Sequence, residues 1–216
     1  MEIFKRLWNK IKLIPLTIRE KSLLKHKKFI IISNNCWGYS LYNTLDRTYN
    51  TPFVGLFVPP TSYINLLKNF PDILKSELHF IEHDAAYPIA YLGDKKIEIH
   101  FLHYESNVEA DEKWRRRTKR FFDDMNQGTE LFFKFCDSEG CTAEQVKQFH
   151  SLAFKNKISF TVNNYQYKEN LYVPFLKDEK TASIVNGLQL YKNRYSCFDF
   201  AYWILNGTIK RYRSID

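Results

Sequence analysis

Two short stretches of this chain carry residue types that can hold or activate a small ligand. The first is Asn34-Asn35-Cys36-Trp37-Gly38, which directly follows the run Lys28-Phe-Ile-Ile-Ile-Ser33. A continuous β-branched run bounded by polar residues reads as a strand buried on both faces, and the residues after it read as a turn that opens a helix. Ligands of open α/β sheets lie beyond the carboxyl ends of the strands. A helix start at that place offers free backbone N–H groups and positive potential, which suit a phosphate and lower the pKa of a thiol. Asn34 and Asn35 are therefore expected as polar ligand contacts, with Trp37 and Gly38 beside them. Cys36 is either a nucleophile or a small buried hydrophobe.

The second stretch is Asp137-Ser-Glu-Gly-Cys-Thr142. Gly140 permits an unusual backbone conformation, and Thr142 is available as a helix cap, so Asp137, Gly140, Cys141 and Thr142 form a second strand-to-helix turn and a second wall for a site. Asp137 can hold a sugar hydroxyl, act as a base, or only satisfy the turn backbone. His103, followed by Tyr104, ends another expected strand and can serve as a general base or activate Cys36. Arg116, Arg117 and Arg120 can clamp a phosphate with their guanidinium forks, and Arg116 and Arg120 share one helix face by their spacing of four. His100 and His103 sit three apart on an expected strand and face opposite sides, and Cys136 and Cys141 lack a second pair, so no metal site is expected. No cofactor is indicated, although a phosphate-bearing donor is compatible with the two helix starts.

These residues need a scaffold. Helix is expected over 39–49, strand over 53–58, and then a helix to Phe70 with Thr61 as its N-cap after Pro59-Pro60. Strands are expected at 77–82 and 87–92, with Gly93-Asp94 turning the chain into an antiparallel strand at 96–104. A charged helix follows over 107–124, then a strand at 131–135. Thr142 and Gln145 form a capping box for a helix to about His150. A strand at 156–162 and a closing helix from Phe198 to Leu205, ended by Asn206-Gly207, complete the pattern. The fold class is α/β: a mixed, largely parallel sheet with covering helices, preceded by a basic amphipathic helix. The expected organisation is a leader, 1–27, and one α/β domain, 28–216, with a potential break near 105–130. Asn34, Asn35, Cys36, Asp137 and His103 should surround one cleft, and His103 should drop out if its strand runs antiparallel.

Composition sets outer bounds. The chain has 216 residues, 44% hydrophobic and 17% aromatic, with only 7 Gly and 7 Pro, which is a folding composition and excludes a disordered or collagen-like chain. The net charge of +8 is concentrated: residues 1–28 hold nine basic against two acidic side chains, and the rest holds 23 against 22. A nearly neutral body excludes a nucleic-acid groove wrapping the fold, and no specific nucleic acid is expected. Within the leader, Ile3, Phe4, Leu7, Trp8, Ile11 and Ile14 share one helical face with lysines off it, so the segment can pack on protein or lie on an anionic membrane. Pro15 is expected to end or kink that helix. No apolar run is long enough to span a membrane, and no signal-peptide core is seen, so the chain is expected in the cytoplasm, peripheral at the inner face of the plasma membrane. Cys36, Cys136, Cys141 and Cys197 are expected as free thiols.

Four blocks together resemble a family of bacterial exopolysaccharide- or capsule-biosynthesis proteins of unknown molecular function. They are Ile31-Ile-Ser-Asn-Asn-Cys-Trp-Gly38 with Asn50-Thr-Pro-Phe-Val-Gly-Leu-Phe57; Tyr87-Pro with Leu92-Gly-Asp94 and Ile99-His-Phe-Leu-His-Tyr104; Glu112-Lys-Trp-Arg-Arg-Arg-Thr-Lys-Arg120; and Lys134-Phe-Cys-Asp-Ser-Glu-Gly-Cys-Thr142 with Phe154-Lys-Asn-Lys157. Where that family often has Asp-Arg-Asp-Gly-Cys-Thr, this chain departs at Ser138 and Glu139. The resemblance implies an α/β fold and a setting in polysaccharide assembly, and supplies no reaction. The expected function is a membrane-peripheral enzyme that transfers or modifies a sugar-containing group, its partner a polysaccharide precursor or sugar donor. The rival expectations are a Cys-dependent acyltransferase or hydrolase built on Cys36, His103 and Asp137, and a non-catalytic scaffold of the assembly machinery. Deleting residues 1–14 should leave a folded body and abolish binding to anionic vesicles in a flotation assay, because the apolar stripe and much of the excess charge go together. Equal vesicle binding by the shortened chain would refute the membrane role.

Overall fold

The computed structural model describes residues 14–138, 140–184 and 186–211. The amphipathic segment expected over residues 3–14 therefore lies, but for Ile14, outside the described residues. Four strands form one wholly parallel sheet in the order β1 (Phe29–Ser33), β5 (Glu130–Cys136), β6 (Lys157–Thr161) and β7 (Asn170–Tyr172). Three more, β2 (Leu78–Ile81), β3 (Ile89–Leu92) and β4 (Ile97–His100), form a separate antiparallel sheet. The fold is mixed α/β, with the parallel and antiparallel strands in two sheets. Seven α-helices are described: α1 (14–24), α2 (Trp37–Thr44), α3 (Pro60–Lys68), α4 (Asn107–Asn126), α5 (Ala143–Ser151), α6 (Gly187–Lys192) and α7 (Phe200–Asn206).

The two-residue period of the central strands divides the interior into two cores. Ile30, Ile32, Phe133 and Phe135 face a core with α3, α4, α5 and the small sheet. Phe29, Ile31, Phe132, Ile158 and Phe160 face the other, with α1, α2, α6 and α7. Both sides of the sheet are thus covered, which is why its strands read as apolar runs without alternation.

Local signals placed most elements. Thr142 and Gln145 make the reciprocal capping box at the start of α5, and Gly207 closes α7 in the left-handed conformation at φ 70°. Three expectations fail. Residues 53–58 are not a strand: Gly55 turns the chain at φ 72°, and only Phe57 pairs, in a single bridge to His100. Thr61 does not cap α3, which starts a residue earlier at Pro60, since a first-turn proline has no N–H to satisfy; the Thr61 hydroxyl instead accepts from Gln145 Nε2 at 2.6 Å. The antiparallel strand ends at His100 and leaves His103 in the turn beyond it.

Residues 14–24 are helical, with Pro15 in the first described turn, and the segment that Pro15 is expected to end or kink lies, but for Ile14, outside the described residues. The helix is tied to the body by Leu24 in the core and by a buried ion pair: Arg194 reaches Glu20 at 3.3 Å, and the Tyr195 hydroxyl donates to the same carboxylate oxygen at 2.6 Å. Arg19 pairs with Asp199 at 3.0 Å. Replacing Arg194 by Met strands the Glu20 carboxylate in the interior, and should lower stability by about 3 kcal/mol. Adding Glu20→Gln to that variant should recover most of the loss. Urea unfolding of the single and double variants checks this, and an unchanged midpoint for Arg194→Met would overturn it.

Candidate functional site

Where β1 ends, Asn34 continues the sheet with its side chain. Its Nδ2 donates to the Cys136 carbonyl at 3.0 Å and its Oδ1 accepts from the Cys136 N–H at 3.1 Å, so the amide acts as one more peptide unit between β1 and β5. Asn34 is consumed by this staple rather than held out to a ligand.

Asn35 is built differently. Its Oδ1 accepts from Lys134 Nζ at 2.9 Å and from the Trp37 N–H at 3.2 Å, and its Nδ2 donates to the Cys136 thiol at 2.7 Å. Lys134 sits on β5 with none of its surface exposed, and burial lowers its pKa. A cation there is costly unless hydrogen-bonded, and Asn35 supplies the bond. Asn35 thereby has its amide orientation fixed by donors on one side. Gly187, the first residue of α6, lies against the same amide: a Cβ on it would stand 2.7 Å from Asn35 Oδ1 and 2.8 Å from the Trp37 nitrogen. Only glycine lets α6 close on this point.

Asn35 and Cys36 open onto a cavity of about 420 Å³ beyond the carboxyl ends of β1 and β5. Ser138 lines it from the end of β5, Phe57, Leu102 and His103 from the loops joined by the Phe57–His100 bridge, and Asp178, Thr181, Ser183, Ile184, Asn186, Gly187 and Leu188 from the tail. His103 reaches the cavity although its strand is antiparallel, contrary to expectation. The reason is that β4 belongs to the second sheet, and the His103 N–H is bonded to the Gly55 carbonyl at 3.1 Å. A Cβ on Gly55 would come within 3.4 Å of His103 and 3.3 Å of Tyr104, so the φ-positive glycine also sets this approach.

The other expected residues have other work. Trp37 is packed in the core against Phe160, Tyr191 and Phe200. Gly38 is buried on α2, where an added Cβ would stand 3.6 Å from the Ile31 side chain, an ordinary contact. Tyr104 is buried, its hydroxyl donating to the Val54 carbonyl at 2.5 Å, with the Arg117 guanidinium bonded to the same hydroxyl. Arg117 is thus the arginine of α4 that turns inward; Arg116 is exposed, and Arg120 donates to the Tyr49 carbonyl at 3.4 Å. Neither Arg116 nor Arg120 lines the cavity. Gly140 and Thr142 are exposed, and Cys141 packs on the first core.

The helix start does not lower the Cys36 pKa as the sequence suggests. Cys36 stands at the N-cap of α2, yet burial outweighs the nearby Lys134 charge and pushes the thiol up to about 11. Its Sγ donates to the Leu56 carbonyl at 3.6 Å. At neutral pH this is a protonated thiol, which is a poor nucleophile.

Residues 8–205 match the family described as a domain of unknown function, DUF1919. The chain belongs to this family. It is also 34% identical over 187 residues to an uncharacterized protein of Haemophilus influenzae, covering 83% of this chain and 85% of that protein. The family match spans both sheets, the cavity and the part of the leader that holds α1. Among the described residues no helix is long and apolar enough to cross a membrane, and no group of three metal-ligating side chains is found.

Sequence reading missed Lys134, Ser138 and the whole tail wall. A lysine inside the apolar run Leu131-Phe-Phe-Lys-Phe-Cys136 is the signal that could have found the first, because a charged residue in a strand buried on both faces needs a partner. The tail wall carries no motif.

Asp137, expected to face the cleft, is buried beside the cavity-lining Ser138 and is not itself among the lining residues. Its Oδ2 accepts from the Val162 N–H at 2.7 Å, its backbone carbonyl accepts from Ile184, and its buried Oδ1 has no protein partner. Burial pushes its carboxyl up to about 7 despite those bonds. A folded-state value above the unfolded one of about 3.9 means the folded chain binds the proton more tightly. The stability this contributes is full below about pH 4 and is lost as pH rises to about 7. Asp137→Asn should therefore gain on the wild type between pH 4 and 7 and level off above, by at most about 4 kcal/mol. Urea unfolding of both chains from pH 4 to 8 tests this; a difference independent of pH would overturn it.

Proposed function

We propose that this chain is an enzyme that binds a sugar-containing group in the cavity beyond β1 and β5 and transfers or modifies it during capsule or exopolysaccharide assembly. The observation that carries the reading is the lining. Among the described residues, short amide and hydroxyl side chains (Asn35, Ser138, Thr181, Ser183, Asn186) and one carboxylate, Asp178, alternate with apolar Phe57, Leu102, Ile184 and Leu188. Such a wall suits a ring with hydroxyls on its rim and C–H faces. No lysine or arginine is among these residues, so the lining favours the sugar moiety over a phosphate. In this reading Asn35 is a fixed hydrogen-bond donor, and His103, exposed at the wall, is the general base. The polysaccharide setting rests on the sequence resemblance set out above.

Membrane association is part of the same proposal. Ile14 and Ile18 stand exposed one turn apart on α1, where they would continue the apolar stripe of the leader, and Lys25 and Lys28 are exposed nearby. A peripheral helix of this kind would hold the enzyme beside a membrane-delivered sugar substrate at the inner face of the plasma membrane. The acyltransferase or hydrolase alternative requires a thiolate at Cys36, and the protonated thiol weighs against it.

Thermal unfolding with a panel of hexoses and N-acetylhexosamines tests the reading, since a ligand of the native state raises the melting temperature. At least one sugar should stabilise the wild type, by about 2.7 kcal/mol at a hundredfold excess over Kd. His103→Ala and Ser138→Ala should weaken that effect, while Cys36→Ser should leave it intact. Stabilisation by none of the sugars would overturn the reading.

A further inference from the structure

At the edge of the cavity, three rings form a staircase, of which the site chemistry above uses only His103 and in which Tyr49 is half-buried against the second core. Tyr39, on the exposed side of α2, has its ring near-parallel to Tyr49, with centroids 5.9 Å apart and planes at 28°. On the other count it is near-parallel to His103, at 6.4 Å and 23°. Phe133 and Phe154 show what full face-to-face overlap looks like in this protein, at 3.8 Å and 16°. The Tyr49–Tyr39–His103 rings are therefore strongly offset and overlap only in part. Tyr39 keeps 42% of its surface exposed, and His103 is exposed as well as lining the cavity.

The staircase is held from below. The Arg117 guanidinium lies 5.0 Å from the Tyr49 ring centroid and is itself fixed on the Val54 carbonyl and the Tyr104 hydroxyl. His103 is held by its N–H bond to Gly55. A large exposed tyrosine on a helix that buries its other face gains little for the fold, because the surface it presents is not removed from water. Tyr39 and His103, overlapped only in part and still exposed in a fixed row, are instead suited to stack on flat apolar faces of a ligand.

Building on the sugar reading of the cavity, we propose that the Tyr49–Tyr39–His103 row is a track for a saccharide chain, carrying further units outward from the one seated in the cavity. The row begins at a residue that lines the cavity, so a chain bound there passes onto it without a break. Its occupant has C–H faces to lay on the rings and hydroxyl edges for water, which an oligosaccharide has at every unit. The enzyme would then act on a unit at or near the end of a chain rather than on a free monosaccharide.

Calorimetric titration of the full chain with glucose, galactose, N-acetylglucosamine and their linear two- to six-unit oligomers tests this. For the sugar that the cavity accepts, affinity should rise roughly five- to tenfold from one unit to three, the size expected of one or two aromatic stacks, and then level off. Tyr39→Ala and Tyr39→Leu should abolish that gain and leave single-unit affinity unchanged, whereas Tyr39→Trp should keep it. The leucine variant retains apolar area without a ring face, and circular dichroism confirms the fold of each. Single-unit binding with no gain on lengthening, or a gain that survives Tyr39→Ala, overturns the track while sparing the cavity. Absence of binding by every sugar removes both readings.

Discussion

The contact between Lys134 Nζ and Asn35 Oδ1, 2.9 Å long and fully buried, is the constraint around which this site is organised. A lysine in the middle of a parallel strand has no route to water, so its amine must find an acceptor inside the protein. Asn35 is that acceptor, and providing it fixes the turn after β1, the direction of the Asn35 amide and the start of α2 through the Trp37 N–H. The same amide forces glycine at 187 and so sets how close the tail can come. One buried polar group thereby couples the central strands, the second helix and the wall contributed by the C-terminal quarter.

Around that point, the polar residues divide into those that hold the scaffold and those that face the cavity. Asn34 and Asn35 are neighbours of one type, yet Asn34 is spent as a staple on the Cys136 backbone and Asn35, though buried, lines the cavity. Arg117 and Arg116 divide in the same way, the first locked on Val54 and Tyr104, the second in solvent. Cys36 shows how competing effects are decided by magnitude. A helix start favours the thiolate, but its influence is smaller than the cost of charging a sulfur removed from water, and the thiol stays protonated.

The smaller sheet matters through one bridge. Phe57 and His100 exchange both backbone hydrogen bonds, at 2.8 Å each, and so fasten the hairpin to the loop that follows α2. From there the turn 101–104 is carried to the mouth of the cavity, with Tyr104 anchoring it in the first core. An antiparallel strand can in this way serve a site at the carboxyl edge of a parallel sheet that it never joins.

Periodicity, turn residues and caps in the sequence alone determined the elements: the buried β1, β5 and β6, the hairpin at Gly93, the capping box at Thr142, the glycine stop at 207 and the α/β class. They also marked 34–38 and 137–142 as strand-to-helix junctions, because local hydrogen-bonding and steric rules act within a few residues of chain. Only the tertiary structure decided which of those polar residues meet a cavity. Sheet order placed β1 beside β5 across about a hundred residues of chain, and that pairing joined Asn35 to Lys134. The partition of strands into two sheets brought His103 in, and the packing of a motif-free tail on Asn35 closed the wall. Each is a long-range contact set by packing and by the need to satisfy buried polar atoms, which no local pattern of residues encodes.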